Sequence, residues 1–438
     1  MKRCCAIATP RPPFTWPAPQ SRRHKPVDLR RVENLPDFVF DIVDHWKAEA
    51  AARGEAVVDF GIGSPDVGTA GPVVDRLVRA ARDPGQHGYP TSTGLPQLRA
   101  ALAAWYERRY GVVIDPGSQA LVTWGASEAL THLPWVLLGP GDTALVPAPC
   151  YPIHYYSVLF SGAAPIPVPM CMPAVDVRVG QPDDTDEALL ARLEAAFAAT
   201  RPQPRVVLLS FPHNPTTRCV ELTFLERVVH FARRHDVTVV HDFAYADIAF
   251  DGFRPPSILQ VPGADTVAVE LVSLSKSHDM AGWRLGFVAG SQKVVAGLRR
   301  LKSYLDYGVT LPVQEMALVA LAPENDAVPA GVAERYRARR DVLCDGLSAA
   351  GWPIARPRGS MFVWARMPQA FRSQGSLAFA EYLLRTAHVA VSPGIGFGEL
   401  GEEHVRFALV QPEDRIRKAV ADIAAALQAS PAPHGKHA

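Results

Sequence analysis

Short apolar runs alternate with amphipathic segments through the first three hundred residues, and this alternation constrains the fold more than any other feature of the chain. The runs are Ala120–Thr123, 143–146, 206–209, 237–240 and 266–272; the last four are rich in β-branched residues and leucine. Between two of them lies Leu222–His235, whose apolar residues recur at helical spacing. A second helix carries Leu95, Leu98, Leu102 and Trp105 and runs into Arg108-Arg109-Tyr110-Gly111, a cationic end closed by glycine. Strands without internal polar alternation are buried on both faces. The expectation is therefore an α/β fold with a mostly parallel sheet covered by helices on each side.

Ligands of such sheets sit beyond the carboxyl ends of the strands, so polar residues just past those ends carry the chemistry. The pattern changes after about residue 310. Helices over 312–321 and 332–351 precede a β-rich stretch over 360–367; a further strand pair, 389–391 with His404–Ala408, leads to a last helix over 414–428. This reads as a smaller α+β domain. The division expected is 1–27 as a disordered extension, 28–71 as an N-terminal arm with part of the small domain, 72–310 as the large domain, 311–430 as the small one, and 431–438 as a tail. A chain of 438 residues is too long for one compact core.

Composition excludes several classes. A formal net charge of +1 gives no reason to expect nucleic acid or an acidic membrane surface as partner. No apolar run reaches membrane-spanning length. The six cysteines (Cys4, Cys5, Cys150, Cys171, Cys219, Cys344) have no C-x-x-C spacing, which argues against a disulfide framework or a metal site and for a reducing, cytoplasmic compartment. Cys150 as a nucleophile has no motif behind it. Residues 1–26 hold Lys and Arg without acidic residues, but their prolines oppose the amphipathic helix of a transit peptide.

The most informative stretch is Ser273-Leu274-Ser275-Lys276-Ser277-His278-Asp279-Met280-Ala281-Gly282-Trp283-Arg284. Lys276 follows an apolar strand, where a buried amine can condense with an aldehyde. Arg284, with Ser273 and Ser275, could hold a phosphate. Taken alone, a lysine among serines is a solvated loop, Asn214-Pro215 is a turn, and Asp242 is a helix cap. Together, Asn214, Asp242, Tyr245 and Lys276 all fall at strand ends and supply what a pyridoxal ring needs. A desolvated carboxylate, Asp242, keeps the ring nitrogen protonated. Tyr245 and the Asn214 amide donate to the phenolate oxygen. The turn Gly125-Ala126-Ser127 opens a helix and presents N–H groups to a phosphate. Tyr151 could stack on the ring.

These stretches make the chain resemble the fold-type-I, class I/II pyridoxal-phosphate-dependent aminotransferases, most of all the bacterial glutamate–pyruvate (alanine) branch. The resemblance runs from about Arg31 to about Lys418 and includes His87-Gly-Tyr89, Tyr151-Pro-Ile-His154, Gly359-Ser-Met-Phe362 and Ser392-Pro-Gly. It implies a seven-stranded sheet, pyridoxal 5'-phosphate as cofactor, and a homodimer in which Tyr89 reaches the neighbouring subunit's phosphate. It implies that Arg406 clamps the substrate's α-carboxylate and that Gly63 lends it backbone contacts. The expected reaction moves an amino group from alanine or glutamate to 2-oxoglutarate or pyruvate. The alternatives are aminotransfer from LL-diaminopimelate, aromatic or specialised substrates, or a lyase or synthase of the same fold. Ser64, Trp124 and Ala126-Ser127 depart from the usual pattern of the nearest branch. A regulatory protein built on this fold would need a basic helix-turn-helix domain ahead of it, and residues 1–28 are too few. Gly396-Phe-Gly398-Glu-Leu-Gly401 matches a dinucleotide fingerprint, but a strand rather than a helix is expected after it.

Overall fold

A computed structural model describes residues 29–33, 35–170 and 185–429; the expected extension over 1–27 and tail over 431–438, with Cys4, Cys5 and Cys171, lie outside the described residues. Residues 1–37 and 38–438 form separate units. In the first, a single turn of helix spans Arg30–Glu33.

The described strands are, in chain order, β1 Val58–Asp59, β2 Ala120–Thr123, β3 Thr143–Ala148, β4 Ala164–Pro169, β5 Val206–Ser210, β6 Thr238–Asp242, β7 Ala268–Ser273, β8 Gly286–Gly290, β9 Phe362–Arg366, β10 Val389–Ala390, β11 Ser392–Pro393 and β12 His404–Ala408. Seven of them form one sheet in the order β2-β8-β7-β6-β5-β3-β4, parallel except for β8, which runs against both β2 and β7. Every residue of β5 and β7 is buried. Double-sided burial is why β5 is apolar up to Ser210 and β7 is apolar up to Ser273 but for Glu270, whose carboxylate is held by Tyr106, Ser257 and His241. Truncating Leu271 at the centre would cost about 2–5 kcal/mol.

Two members of this sheet are not legible as strands from periodicity. β4 reads Ala164-Pro165-Ile166-Pro167-Val168-Pro169 and lies at the edge beside β3. Proline lacks the N–H a ladder needs, so an edge with one free side is where such a strand can sit, and the prolines also blunt that edge against further pairing. β8, Gly-Phe-Val-Ala-Gly, is as long as β5 but is bounded by glycine at both ends, which leaves three apolar side chains and no strand signature. A Cβ on Gly286 would fall 2.7 Å from the Ala126 nitrogen, so β8 passes directly under the start of helix Gly125–Leu137.

Two expectations are corrected. Thr266 and Val267 belong to a helical turn, Ala264–Val267, and β7 starts at Ala268. The stretch at 389–391 does not pair with His404–Ala408. β10 instead pairs in parallel with β1, some three hundred residues earlier, while β12 pairs with β9 and β11. A two-residue strand takes its partner from tertiary packing, which local pattern cannot supply. The G-x-G-x-x-G stretch forms two 3-10 turns, Gly394–Phe397 and Glu399–Gly401, and β12 follows. It opens no helix.

The core of the β9, β11 and β12 sheet gathers Trp352, Phe379, Phe407 and Ile416 with Tyr245 and Ile248 from beyond β6. Helix Leu311–Ala320 buries Met316, Ala317 and Ala320 in a different cluster, under β2 and helix Pro96–Tyr110. Among the described residues no helix is long and apolar enough to cross a membrane.

Candidate active site

The strand ends converge as the sequence suggested. β7 ends at Ser273, whose side chain caps the following turn by accepting from the Ser275 N–H at 3.2 Å. That one-turn helix, Leu274–Ser277, carries Lys276. Its Nζ donates to the carbonyl of Gly63. Burial, and then the positive charges of Arg406 and Arg284, push the Lys276 ammonium down to about 8. An amine so poised is a nucleophile and a proton carrier near neutral pH.

Arg406 projects from β12. One Nη donates to the Asn214 side-chain oxygen at 2.7 Å; the other donates to the Gly61 carbonyl and to Ser392 Oγ, both at 3.1 Å. The guanidinium is sandwiched by Phe362 and Phe397, at 4.1 and 4.6 Å from the ring centroids, with Phe40 at 5.9 Å. Among the described residues its hydrogen-bond partners are all neutral and its Nε–H has none, and burial lowers its proton affinity to about 10. A buried cation held only by neutral acceptors is a site prepared for an anion. Gly63 must be glycine here, because a Cβ would meet the Phe362 ring at 2.7 Å.

Asp242 ends β6 and is 5% exposed. One carboxylate oxygen faces His154 Nε2 at 2.8 Å, and the other accepts from the Ala244 N–H at 3.1 Å. His154, on helix Pro152–Phe160, is buried as well. Tyr245 is buried with its ring edge-on to Phe362 at 5.6 Å; burial drives its phenol well above the ordinary range, so it stays protonated and can donate. Tyr151 begins the His154 helix, donates its N–H to the Asn214 carbonyl at 3.1 Å, and is 37% exposed.

At the other end, Gly125 opens helix Gly125–Leu137 with φ +71° and no side-chain cap, so the first N–H groups, through Ala126 and Ser127, have no side-chain acceptor. A Cβ on Gly125 would lie 2.8 Å from an Arg284 Nη. Arg284 itself adopts φ +54° and donates to the Ala281 carbonyl at 2.9 Å. A guanidinium laid against an uncapped helix start fits a phosphate.

These residues fit the expected coenzyme: a nucleophilic lysine, a buried carboxylate, a neutral phenol, an anion cradle and a second anion site at Arg406. Tyr89 is not brought into its own chain's site. It is 90% exposed, with its ring 5.6 Å from Tyr307. Sequence reasoning gave His154 no role, although its contact with Asp242 makes it part of the site; its position three residues past Tyr151 at a helix start was the available signal. Cys150 is buried and its thiol pushed up to about 12, which removes it as a nucleophile.

Comparison with known proteins agrees with this geometry. The family model described as aminotransferase class I and II matches residues 55–423. The glutamate-pyruvate aminotransferase AlaC of Escherichia coli K12 is 48% identical over 399 residues, covering 91% of this chain and 93% of that one. An LL-diaminopimelate aminotransferase of Desulforudis audaxviator is 39% identical, covering 90% and 96%. Among solved structures, a double mutant of Thermus thermophilus aspartate aminotransferase superposes with a TM-score of 0.82 at 27% identity, covering 92% of this chain and all of that one.

Proposed function

The chain belongs to the class I and II aminotransferases, and from that premise we propose that it uses pyridoxal 5'-phosphate to move an amino group from alanine or glutamate to 2-oxoglutarate or pyruvate. One observation carries the coenzyme reading. A lysine amine lowered to about 8 shares its site with a buried carboxylate held by His154 and a buried guanidinium held only by neutral acceptors. The coenzyme, when bound, supplies the aldehyde to which amino groups attach and the conjugated ring that takes up charge from the substrate's α-carbon.

The residues divide the remaining work. Asp242, its carboxylate fixed by His154, would keep the ring nitrogen protonated. Tyr245, neutral, and the amide of Asn214 would donate to the ring's phenolate oxygen. Tyr151 would stack on the ring. Gly125, Ala126 and Ser127 offer N–H and hydroxyl groups to the phosphate, joined by Ser273, Ser275 and Arg284. Arg406 holds the substrate's α-carboxylate, and the backbone at Gly63 lines the same place. Lys276 would anchor the coenzyme covalently and, once freed, would carry the proton from the substrate's Cα to the coenzyme's C4′.

The same reading makes the enzyme a cytoplasmic homodimer, with Tyr89 reaching the partner's phosphate. The exposure of Tyr89, Tyr304 and Tyr307, at 90%, 82% and 57%, supports an interface there. It also keeps residues 72–310 as the coenzyme domain, but of the 311–430 expected as the smaller one, helix Leu311–Ala320 packs with β2 and helix Pro96–Tyr110 of the larger domain. The substrate rests on the 48% identity to AlaC; the diaminopimelate enzymes at 39% are the runner-up. A donor panel decides. With 2-oxoglutarate as acceptor, alanine should exceed LL-diaminopimelate in kcat/KM, and the reverse ranking would overturn the substrate assignment while leaving the aminotransferase assignment intact.

A further inference from the structure

Lys302, in the last turn of helix Gln292–Leu305, is fully buried. Its ammonium lies 2.8 and 2.9 Å from the two oxygens of Glu128 and 3.0 and 3.1 Å from those of Asp306. Glu128, His132 and Asp306 bring their ligand atoms within 4.8 Å of one another, a spacing that could suit a metal. The lysine already binds both carboxylates and is the cation this group gathers.

Glu128 gives the cluster a second face. One of its oxygens also meets His132 Nδ1 at 2.9 Å, and the other accepts from the Trp124 N–H at 2.7 Å. Burial raises the Glu128 carboxyl, but His132, Lys302 and the Trp124 N–H outweigh it and hold the group below the usual carboxylate range. Trp124 is the residue before Gly125, so this carboxylate pins the turn on which the anion cradle is built. Asp306, in turn, precedes Tyr307, whose ring lies 5.6 Å from that of Tyr89. Next comes Gly308, at φ +121°, where a Cβ would fall 2.5 Å from the Thr91 carbonyl. The backbone after Asp306 is thus pressed on the segment that presents Tyr89.

We propose that Lys302 is a positioning residue for the phosphate end of the site: one buried ammonium fixes the Trp124–Gly125 turn through Glu128 and, through Asp306, the segment bearing Tyr89. The proposal rests on the coenzyme reading above. Removing a lysine that only stabilised the core would lower the melting temperature without discriminating among ligands. A positioning role is felt where the phosphate binds.

The test compares pyridoxal phosphate with pyridoxal, which lacks the phosphate, each titrated into coenzyme-free protein and followed by absorbance. The double variant Glu128→Gln with Lys302→Met removes both charges of the buried pair together; Asp306 loses its ammonium but is part-exposed and can be solvated. Its dissociation constant for pyridoxal phosphate should rise about tenfold or more, the scale of one charge-assisted hydrogen bond, and that for pyridoxal should stay within about twofold. Equal weakening of both ligands, or no change for pyridoxal phosphate, would overturn the proposal. Asp306→Asn keeps the Lys302–Glu128 pair and should weaken pyridoxal phosphate alone, by about threefold or more. If the double variant lacks a native circular dichroism spectrum, Asp306→Asn decides, and unchanged affinity there counts against the role. Wild-type protein that bound neither ligand would instead refute the coenzyme reading.

Discussion

Replacing Arg406 by lysine keeps a positive charge in the site and removes the planar fork. In the structure three of the five guanidinium N–H groups are committed to Asn214, Gly61 and Ser392, leaving two, one of them the unpartnered Nε–H, for an incoming anion. Charge-assisted hydrogen bonds contribute about 1.5–3 kcal/mol each, and a lysine has one compact head with which to replace the fork. Losing roughly one such bond, about 2 kcal/mol, lowers kcat/KM about 30-fold at 1.36 kcal/mol per decade. The enclosing rings of Phe362, Phe397 and Phe40 exclude water that could substitute. The assay is the first half-reaction with alanine at varied concentration, alongside a titration with pyridoxal phosphate. The expected outcome is the loss in kcat/KM with coenzyme affinity preserved. Arg406→Lys protein with kcat/KM within about twofold of wild type, or a loss confined to coenzyme affinity, would refute the assignment of Arg406 to the substrate carboxylate.

Three further outcomes are expected. In coenzyme-free protein, acylation of Lys276 should rise with pH around a midpoint of about 8, since the reactive form is the neutral amine; Arg406→Met removes one of the lowering charges and moves the midpoint upward, and an ordinary lysine midpoint in the wild type would contradict the burial argument. His154→Phe deprives the buried Asp242 of a partner and should weaken pyridoxal phosphate by roughly 1–3 kcal/mol, read by titration, whereas unchanged affinity would mean that His154 does not support the carboxylate. Gly125→Ala places a Cβ against Arg284 at a left-handed φ whose backbone cost alone is about 1–2 kcal/mol; it should lower the melting temperature and weaken pyridoxal phosphate more than pyridoxal.

What could be read ahead of the structure follows from how local each feature is. The runs in β5, β6 and β7 announce themselves because doubly buried strands are largely apolar, with His241 and Glu270 pairing as buried exceptions. Each delivers its functional residue at or within a few positions of its end: Asn214, Asp242 with Tyr245, and Lys276. β4 was hidden by prolines that only an edge tolerates, and β10 by a partner far away in the chain. Arg406 lies inside a strand, where pattern alone says nothing of chemistry; family resemblance pointed to it, and its contact with Asn214, 192 residues away, explains why periodicity could not. His154 and Lys302 were missed for the same reason. The Glu128–Lys302 pair spans 174 residues, and neither member stands in a motif.

The central claim is that Lys276 holds pyridoxal phosphate covalently. Borohydride reduction of the holoprotein followed by peptide mass spectrometry tests it directly. The mass of the reduced coenzyme should appear on the peptide containing Lys276 and disappear in Lys276→Ala. Protein that binds the coenzyme yet yields no adduct at Lys276, or an adduct at another lysine, would contradict it.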